Sequence, residues 1–210
     1  MQPAEIRSFK VRRGRTGATS VAAHERLWPV YGVAQPYGDL VRSRPLAVEI
    51  GFGMGEATAL MAAAEPELDL LAVEVHPAGI AALLRRLEDA ALTNVRVVEG
   101  DAVPLLQVLP ESCLREVRLF FPDPWPKARH AKRRLLRPSF AALLASRLEP
   151  SGHLHLATDW PAYVDHARGV LAHWDVEVVD RPERRPVTGY ERRASAAGRT
   201  AVDVIARPRG

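Results

Sequence analysis

Two spacings of hydrophobic residues alternate from residue 46 onward. LAVEIG, LLAVEV, VRVVEG, VRLFF and HLHLA are short, nearly continuous apolar runs with β-branched residues, the pattern of strands buried on both faces. Between them EATALMAAAE, PAGIAALLRRLEDAAL, AVPLLQVL and PSFAALLASRL repeat their apolar positions at helical intervals. Pro77 and Pro138 suit the first turn of a helix, where a missing N–H costs nothing. Strand alternating with helix predicts an α/β domain: a mostly parallel sheet with right-handed crossovers and helices on both faces. After HLHLATD the pattern predicts a helix over about 161–172, then strands at WDVEVV and AVDVIA. A long polar stretch joins these last two strands, so they are expected to be antiparallel. Residues 1–45 are rich in Gly, Pro and Arg without clear periodicity. They read as a basic, partly flexible N-terminal arm, with apolar LWPVYGV docking on a single domain of residues 46–210.

Charge sharpens this picture. Residues 46–114 carry three basic against eleven acidic side chains, whereas residues 1–45 carry eight against three, 115–137 eight against two, and 181–193 five against two. Basic segments that converge in space attract a polyanion such as nucleic acid. With 47% hydrophobic residues and no apolar run of membrane-spanning length, the chain is expected to be soluble and to need no membrane. The single Cys113 excludes an internal disulfide framework and fits a reducing cytoplasm. The seven histidines show no metal-binding spacing, and no metal is expected. A monomer and a homodimer are equally compatible with the sequence.

VEIGFGMGE, residues 48–56, follows the first of these strands and opens a helix. Gly51, Gly53 and Gly55 permit a sharp bend and close approach of a ligand. The spacing differs from the dinucleotide fingerprint, because Glu56 stands where Gly or Ala is needed. No Lys or Arg lies in the turn, so a phosphate is not the expected occupant. Acids recur at successive strand ends: Glu49 before the turn, Glu74 in VEVHP, and Asp101 in VEGDA. In an open α/β sheet ligands bind outside these ends. Glu74 is placed to accept from ribose hydroxyls, Asp101 from an adenine amino group, and Glu49 to face a positively charged tail. A ligand with ribose, adenine and positive charge but no phosphate matches S-adenosyl-L-methionine.

FFPDPW, residues 120–125, closes the next strand. Pro122 and Pro124 restrict the backbone on both sides of Asp123, holding its carboxylate beside the expected cofactor cleft. Trp125 offers a flat aromatic surface suited to a purine. Lys127, Arg129, Lys132, Arg133, Arg134 and Arg137 follow with no intervening acid, a run suited to a phosphate backbone.

These segments together resemble the bacterial tRNA (guanine-N7-)-methyltransferases, along nearly the whole chain. The resemblance rests on RSFKVRRGR (7–15), LWPVYGV, VEIGFGMGE, FPDPWPKARHAKRR, LATDW (156–160) and TGYERR (188–193). One departure is Ala131, where the family usually carries Asn. The resemblance implies a class I, Rossmann-like methyltransferase sheet of seven strands, the last antiparallel. It implies methyl transfer from S-adenosylmethionine to N7 of a guanine in the tRNA variable loop. Glu49, Gly51, Gly53, Glu74, Asp101 and Asp123 would be cofactor-site positions, with Asp123 also catalytic. Lys127, Asp159, Thr188, Gly189, Tyr190 and Glu191 would meet the substrate, with Glu191 accepting from the guanine N1–H and amino group. Arg129, Lys132, Arg133 and Arg134 would form an RNA-binding patch. The residues alone leave open another methyl acceptor, a nicotinamide-dependent oxidoreductase and a non-enzymatic RNA-binding module.

Overall fold

The computed structural model describes residues 17–35, 37, 40 and 44–209. In chain order the elements are α1 (Ala18–Tyr31), β1 (Gly32–Val33), β2 (Leu46–Ile50), α2 (Glu56–Ala64), β3 (Asp69–Glu74), α3 (Pro77–Asp89), β4 (Val95–Glu99) and α4 (Ala102–Val108). There follow β5 (Leu114–Phe120), α5 (Pro138–Arg147), β6 (Leu148–Thr158), α6 (Pro161–Val170), β7 (Trp174–Val179), α7 (Gly189–Ala196) and β8 (Val202–Pro208), with a 3-10 turn at Ala128–Arg133 between β5 and α5. The strands form one eight-stranded sheet, ordered β1-β4-β3-β2-β5-β6-β8-β7. The neighbours from β1 to β6 pair in parallel; β8 runs antiparallel to both β6 and β7.

Every residue of β2 and β3 is buried, because helices cover both faces of the sheet. On one face Leu27 and Tyr31 of α1 join Ile80, Leu83, Leu84 and Leu87 of α3. On the other, Leu105 and Leu106 of α4 pack with Phe140 and Leu144 of α5 and Tyr163 of α6. Pro77 and Pro138 occupy helix N-termini as expected, and so does Pro161. The chain leaves β2 toward β3 on one side and returns at β5 on the other. The strand order therefore reverses between β2 and β5, where an open α/β sheet forms its ligand crevice.

Three expectations change. The N-terminal segment is not an extended arm from residue 18 on, since α1 is a docked helix. Ala23, Leu27 and Tyr31 are buried four residues apart on one stripe, and Pro29 is tolerated near the end of the helix. The expected flexibility of residues 1–16 lies outside the described residues. The polar stretch between β7 and β8 contains α7, a helix with little apolar burial: only Glu191 and Ala194 are buried. The short β1 adds an eighth strand beyond β4, and β8 inserts between β6 and β7.

Candidate active site

The turn after β2 is left-handed at Gly51 (φ 75°) and Gly53 (φ 60°), a conformation costly for residues with a Cβ. It is also closely packed from behind. A Cβ on Gly79 of α3 would lie 2.1 Å from the Gly53 carbonyl oxygen, so glycine at 79 lets α3 press directly on the turn. Glu74, buried at the end of β3, accepts from Gly53 N–H (2.9 Å), Val75 N–H (2.6 Å) and His76 N–H (3.1 Å). A carboxylate offers about four acceptor positions, so Glu74 is rigidly aimed with room for about one further donor. Asp101 caps α4 by accepting from Val103 N–H (3.0 Å).

Glu74, His76, Asp101 and Asp123 line one pocket, which reaches Gly51, Phe120 and Phe121. Asp123 is exposed at its rim. Phe121 itself has φ +50°, sparsely allowed for a bulky residue; its N–H still bonds Ala157 O (2.7 Å), so the sheet holds it there. A second pocket begins where the first ends. Gly51, Phe120 and Phe121 line both, and Glu49, Gly53, Glu56, Arg185, Thr188, Gly189 and Tyr190 complete the second.

Glu49 belongs to the second pocket and is 3% exposed. Among the described residues its Oε2 has no hydrogen-bond partner. Burial pushes its carboxyl up to about 7, against the opposing pull of Arg118. An orphaned, buried acceptor in a pocket calls for a cationic donor from a ligand, which fits the ammonium-bearing tail of S-adenosylmethionine. The neighbouring Glu74 and Asp101 acceptors fit its hydroxyl and amino groups.

The substrate-side residues divide. Thr188 caps α7 by accepting from Glu191 N–H (3.2 Å), and Gly189 N–H donates to Glu56 (3.1 Å) across the second pocket. Tyr190 is 45% exposed, with its ring 5.0 Å from that of Phe121. Asp159 follows β6 but lines neither pocket: it accepts from Arg199 Nε (2.8 Å) and stands 3.4 Å from the Tyr190 hydroxyl. Burial and then this carboxylate push the Tyr190 phenol up. Glu191, expected at the guanine edge, is turned away from the pocket; both its oxygens accept from Arg185 (2.7 and 3.1 Å).

The family described as "Putative methyltransferase" matches residues 43–204. A tRNA (guanine-N(7)-)-methyltransferase of Nitrosospira multiformis is 48% identical, covering 96% of this chain and 94% of its own. That of Streptomyces coelicolor is 43% identical, covering 96% and 80%. The chain belongs to the tRNA (guanine-N(7)-)-methyltransferase family. The same fold occurs in the 16S rRNA methyltransferase KamB, with a TM-score of 0.57 at 16% identity over 94% of this chain and 97% of that one.

As a member of this family the chain would be expected to spend its basic run on RNA, and the structure divides that run. Lys127, Arg129 and Lys132 are exposed around the 3-10 turn. Arg133 instead lies over the Trp125 ring (5.0 Å to its centroid), and Arg134 donates to Pro124 O (2.9 Å) while facing Tyr163. Trp125 is buried, with φ +43°. It anchors the loop and does not offer a face to a purine. Arg133 and Arg134 are half-buried and have partners within the protein as well, a planar guanidinium being suited to an aromatic face and a carbonyl.

The 181–193 segment is corrected in the same sense. Arg184 donates to Glu116 (2.6 Å), and Arg185 is 1% exposed. With Glu116, Arg118, His155 and Asp203 these form a buried charge network that sequence reasoning passed over. Alternating E-V-R in β5 and H-L-H in β6 placed polar residues within buried strands, and that was the available signal. Burial alone would raise Glu116, but His153, His155, Arg118 and Arg184 outweigh it and hold the carboxyl far below the usual range.

Proposed function

We infer that the chain transfers the methyl group of S-adenosylmethionine to N7 of a guanine in the variable loop of tRNA. One observation carries the geometric side of this reading: a pocket of strand-end carboxylates opens, past Gly51, Phe120 and Phe121, directly into a second pocket ringed by Glu49, Thr188 and Tyr190. A cofactor reaching from Glu74 and Asp101 past the shared wall to Glu49 would meet there a base lodged between Asp123 and Tyr190. The named relatives supply the acceptor: a guanine of tRNA.

S-adenosylmethionine, when bound, supplies an electrophilic methyl group. Glu74 would hold a ribose hydroxyl, Asp101 the adenine edge, and Glu49 the ammonium of the tail. Guanine N7 has an in-plane lone pair and no proton to lose, so the site needs no strong general base; orientation and electrostatics remain. Asp123, held between two prolines, accepts from the guanine edge and offsets the positive charge that develops on the ring. Tyr190, backed by Asp159 and Phe121, provides an aromatic wall for the base. Lys127, Arg129 and Lys132 meet the phosphate backbone. Among the described residues no group of three or more His, Cys, Asp and Glu converges to hold a metal ion, and no helix is long and apolar enough to cross a membrane. A cytoplasmic enzyme acting on tRNA is the reading.

Incubation with methyl-labelled S-adenosylmethionine and bulk tRNA, followed by nucleoside analysis, tests it. Label in 7-methylguanosine, lost in Asp123→Ala with the fold retained, is the expected result. Label in another nucleoside, or full turnover in the Asp123 variant, refutes the acceptor or the catalytic assignment respectively.

A further inference from the structure

Arg185 is a full-length cation with almost no access to water, in the loop between β7 and α7. It forks onto two carboxylates. Nε and Nη2 donate to Asp203 of β8 (2.6 and 2.7 Å), and Nη1 and Nη2 donate to Glu191 of α7 (2.7 and 3.1 Å). The guanidinium also lies 5.6 Å from the Phe121 ring and 5.8 Å from that of Phe120, at the wall between the two pockets. Asp203 is steadied in turn by His155 Nε2 (2.7 Å), whose Nδ1 faces Arg184 Nη2 (3.2 Å).

What Arg185 joins has little apolar packing to hold it. Helix α7 spans eight residues and buries one apolar side chain, Ala194, too little area to fix its place by packing. Its first turn is held on one side by Glu56, through Gly189 N–H and Arg192. On the other side it is held by Glu191 on Arg185. Thr188 and Tyr190, which line the second pocket, ride on that turn.

We propose that Arg185 is the positioning residue of the acceptor pocket, and that Glu191 acts through it instead of touching the base. The inference rests on the Thr188–Tyr190 side of the second pocket receiving the guanine. Burying one cation between two carboxylates is tolerable only where each fork is complete. Loss of either partner therefore frees the first turn of α7 and moves the Tyr190 wall, while the cofactor acceptors stay in place: Glu49 is fixed within the buried strand β2, and Glu74 and Asp101 lie in the other pocket.

The test uses Arg185→Gln, Arg185→Lys, Glu191→Gln and the double variant Arg185→Gln/Glu191→Gln. Three quantities are read: amide hydrogen exchange over residues 188–197, the Kd for S-adenosylmethionine, and kcat and KM for tRNA. Losing charged hydrogen bonds of this kind is expected to raise exchange in α7 and lower kcat/KM for tRNA, each about tenfold or more, with cofactor affinity within about threefold. Lysine, which keeps the charge but not the fork, recovers part of the loss. Because the two residues act as one unit, the double variant is no worse than the poorer single one. The proposal is overturned if Glu191→Gln loses tRNA activity with α7 exchange unchanged, or if the two losses multiply. The exchange readout needs no turnover. An absence of tRNA methylation by the unaltered protein would sink the acceptor reading, while exchange in α7 still decides whether Arg185 holds it. Should Arg185→Gln fail to fold, Arg185→Lys and Glu191→Gln carry the same comparison.

Discussion

Cofactor affinity should depend on pH through Glu49. Burial raises this carboxyl to about 7 from an ordinary 4.5, with Arg118 pulling it down and Glu116 and Glu65 adding to the rise. The folded chain therefore holds a proton there that the unfolded chain has released between those two values. The stability contributed by that proton is fully present below pH 4.5 and is lost as pH rises through about 7. A shift of this size corresponds to about 3 kcal/mol at most. Binding a cationic tail requires the ionised form, so the sign for affinity is the reverse. At pH 5.5 only about 3% of Glu49 is ionised, and apparent affinity should be about 30-fold weaker than at pH 8. Titration calorimetry with S-adenosylmethionine between these limits, in buffers of different ionisation enthalpy, reads both the Kd and the proton released on binding. Glu49→Gln should bind weakly with a much flatter profile. A parent Kd constant within about twofold across the range, with no proton release, would refute both the raised carboxyl and its role.

Three further outcomes are expected. Glu74→Ala should weaken cofactor binding by about 1–3 kcal/mol or more, since it also strips Gly53, Val75 and His76 of their acceptor; unchanged affinity in equilibrium dialysis would misplace the cleft. Neutralising Lys127, Arg129 and Lys132 together should reduce the salt dependence of tRNA binding, with a slope change of up to about two for three phosphate contacts. Arg133→Gln should instead loosen the Trp125 loop and leave that slope nearly unchanged, and equal slopes for the two variants in a filter-binding series would remove the distinction. Arg118→Ala removes one cationic partner of Glu116, which Arg184 still holds, and should cost about 1–3 kcal/mol, read as a shift of the urea midpoint; an unchanged midpoint would mean that the network relaxes around the gap.

The central sheet was legible because its strands are continuous apolar runs, and burial on both faces leaves few other sequences possible. The acids at the ends of β2 and β3, and in the turns after β4 and β5, were legible for a related reason: a carboxylate that closes an apolar run sits at the carboxyl ends of the strands. Helix α1 was less so, because its stripe of Ala23, Leu27 and Tyr31 is sparse and Pro29 argues for a break. Helix α7 buries almost nothing apolar, so periodicity could not find it; the T-x-x-E spacing from Thr188 to Glu191, a helix-start pattern, was the one local sign. Arg185 was indistinguishable from its neighbours in RPERRP. Its burial depends on Asp203, which only the β8 insertion brings near. The inward partners of Arg133 and Arg134 were hidden for the same reason: a run of cations does not reveal which of them also pack on the protein.

The position of β8 has a consequence for how the molecule is made. Among the described residues, strand β7 pairs with no strand but β8, which leaves the ribosome after it. Through the synthesis of residues 180–201, β7 therefore waits as an unpaired edge, and β6 waits with its outer side open. When β8 arrives it fills both vacancies in one step, and it carries Asp203 to its place between Ala157 of β6 and Val179 of β7. The chain can bury the halves of its sheet that flank β2 early, but the wall of the second pocket is assembled last, with the same strand that completes the sheet.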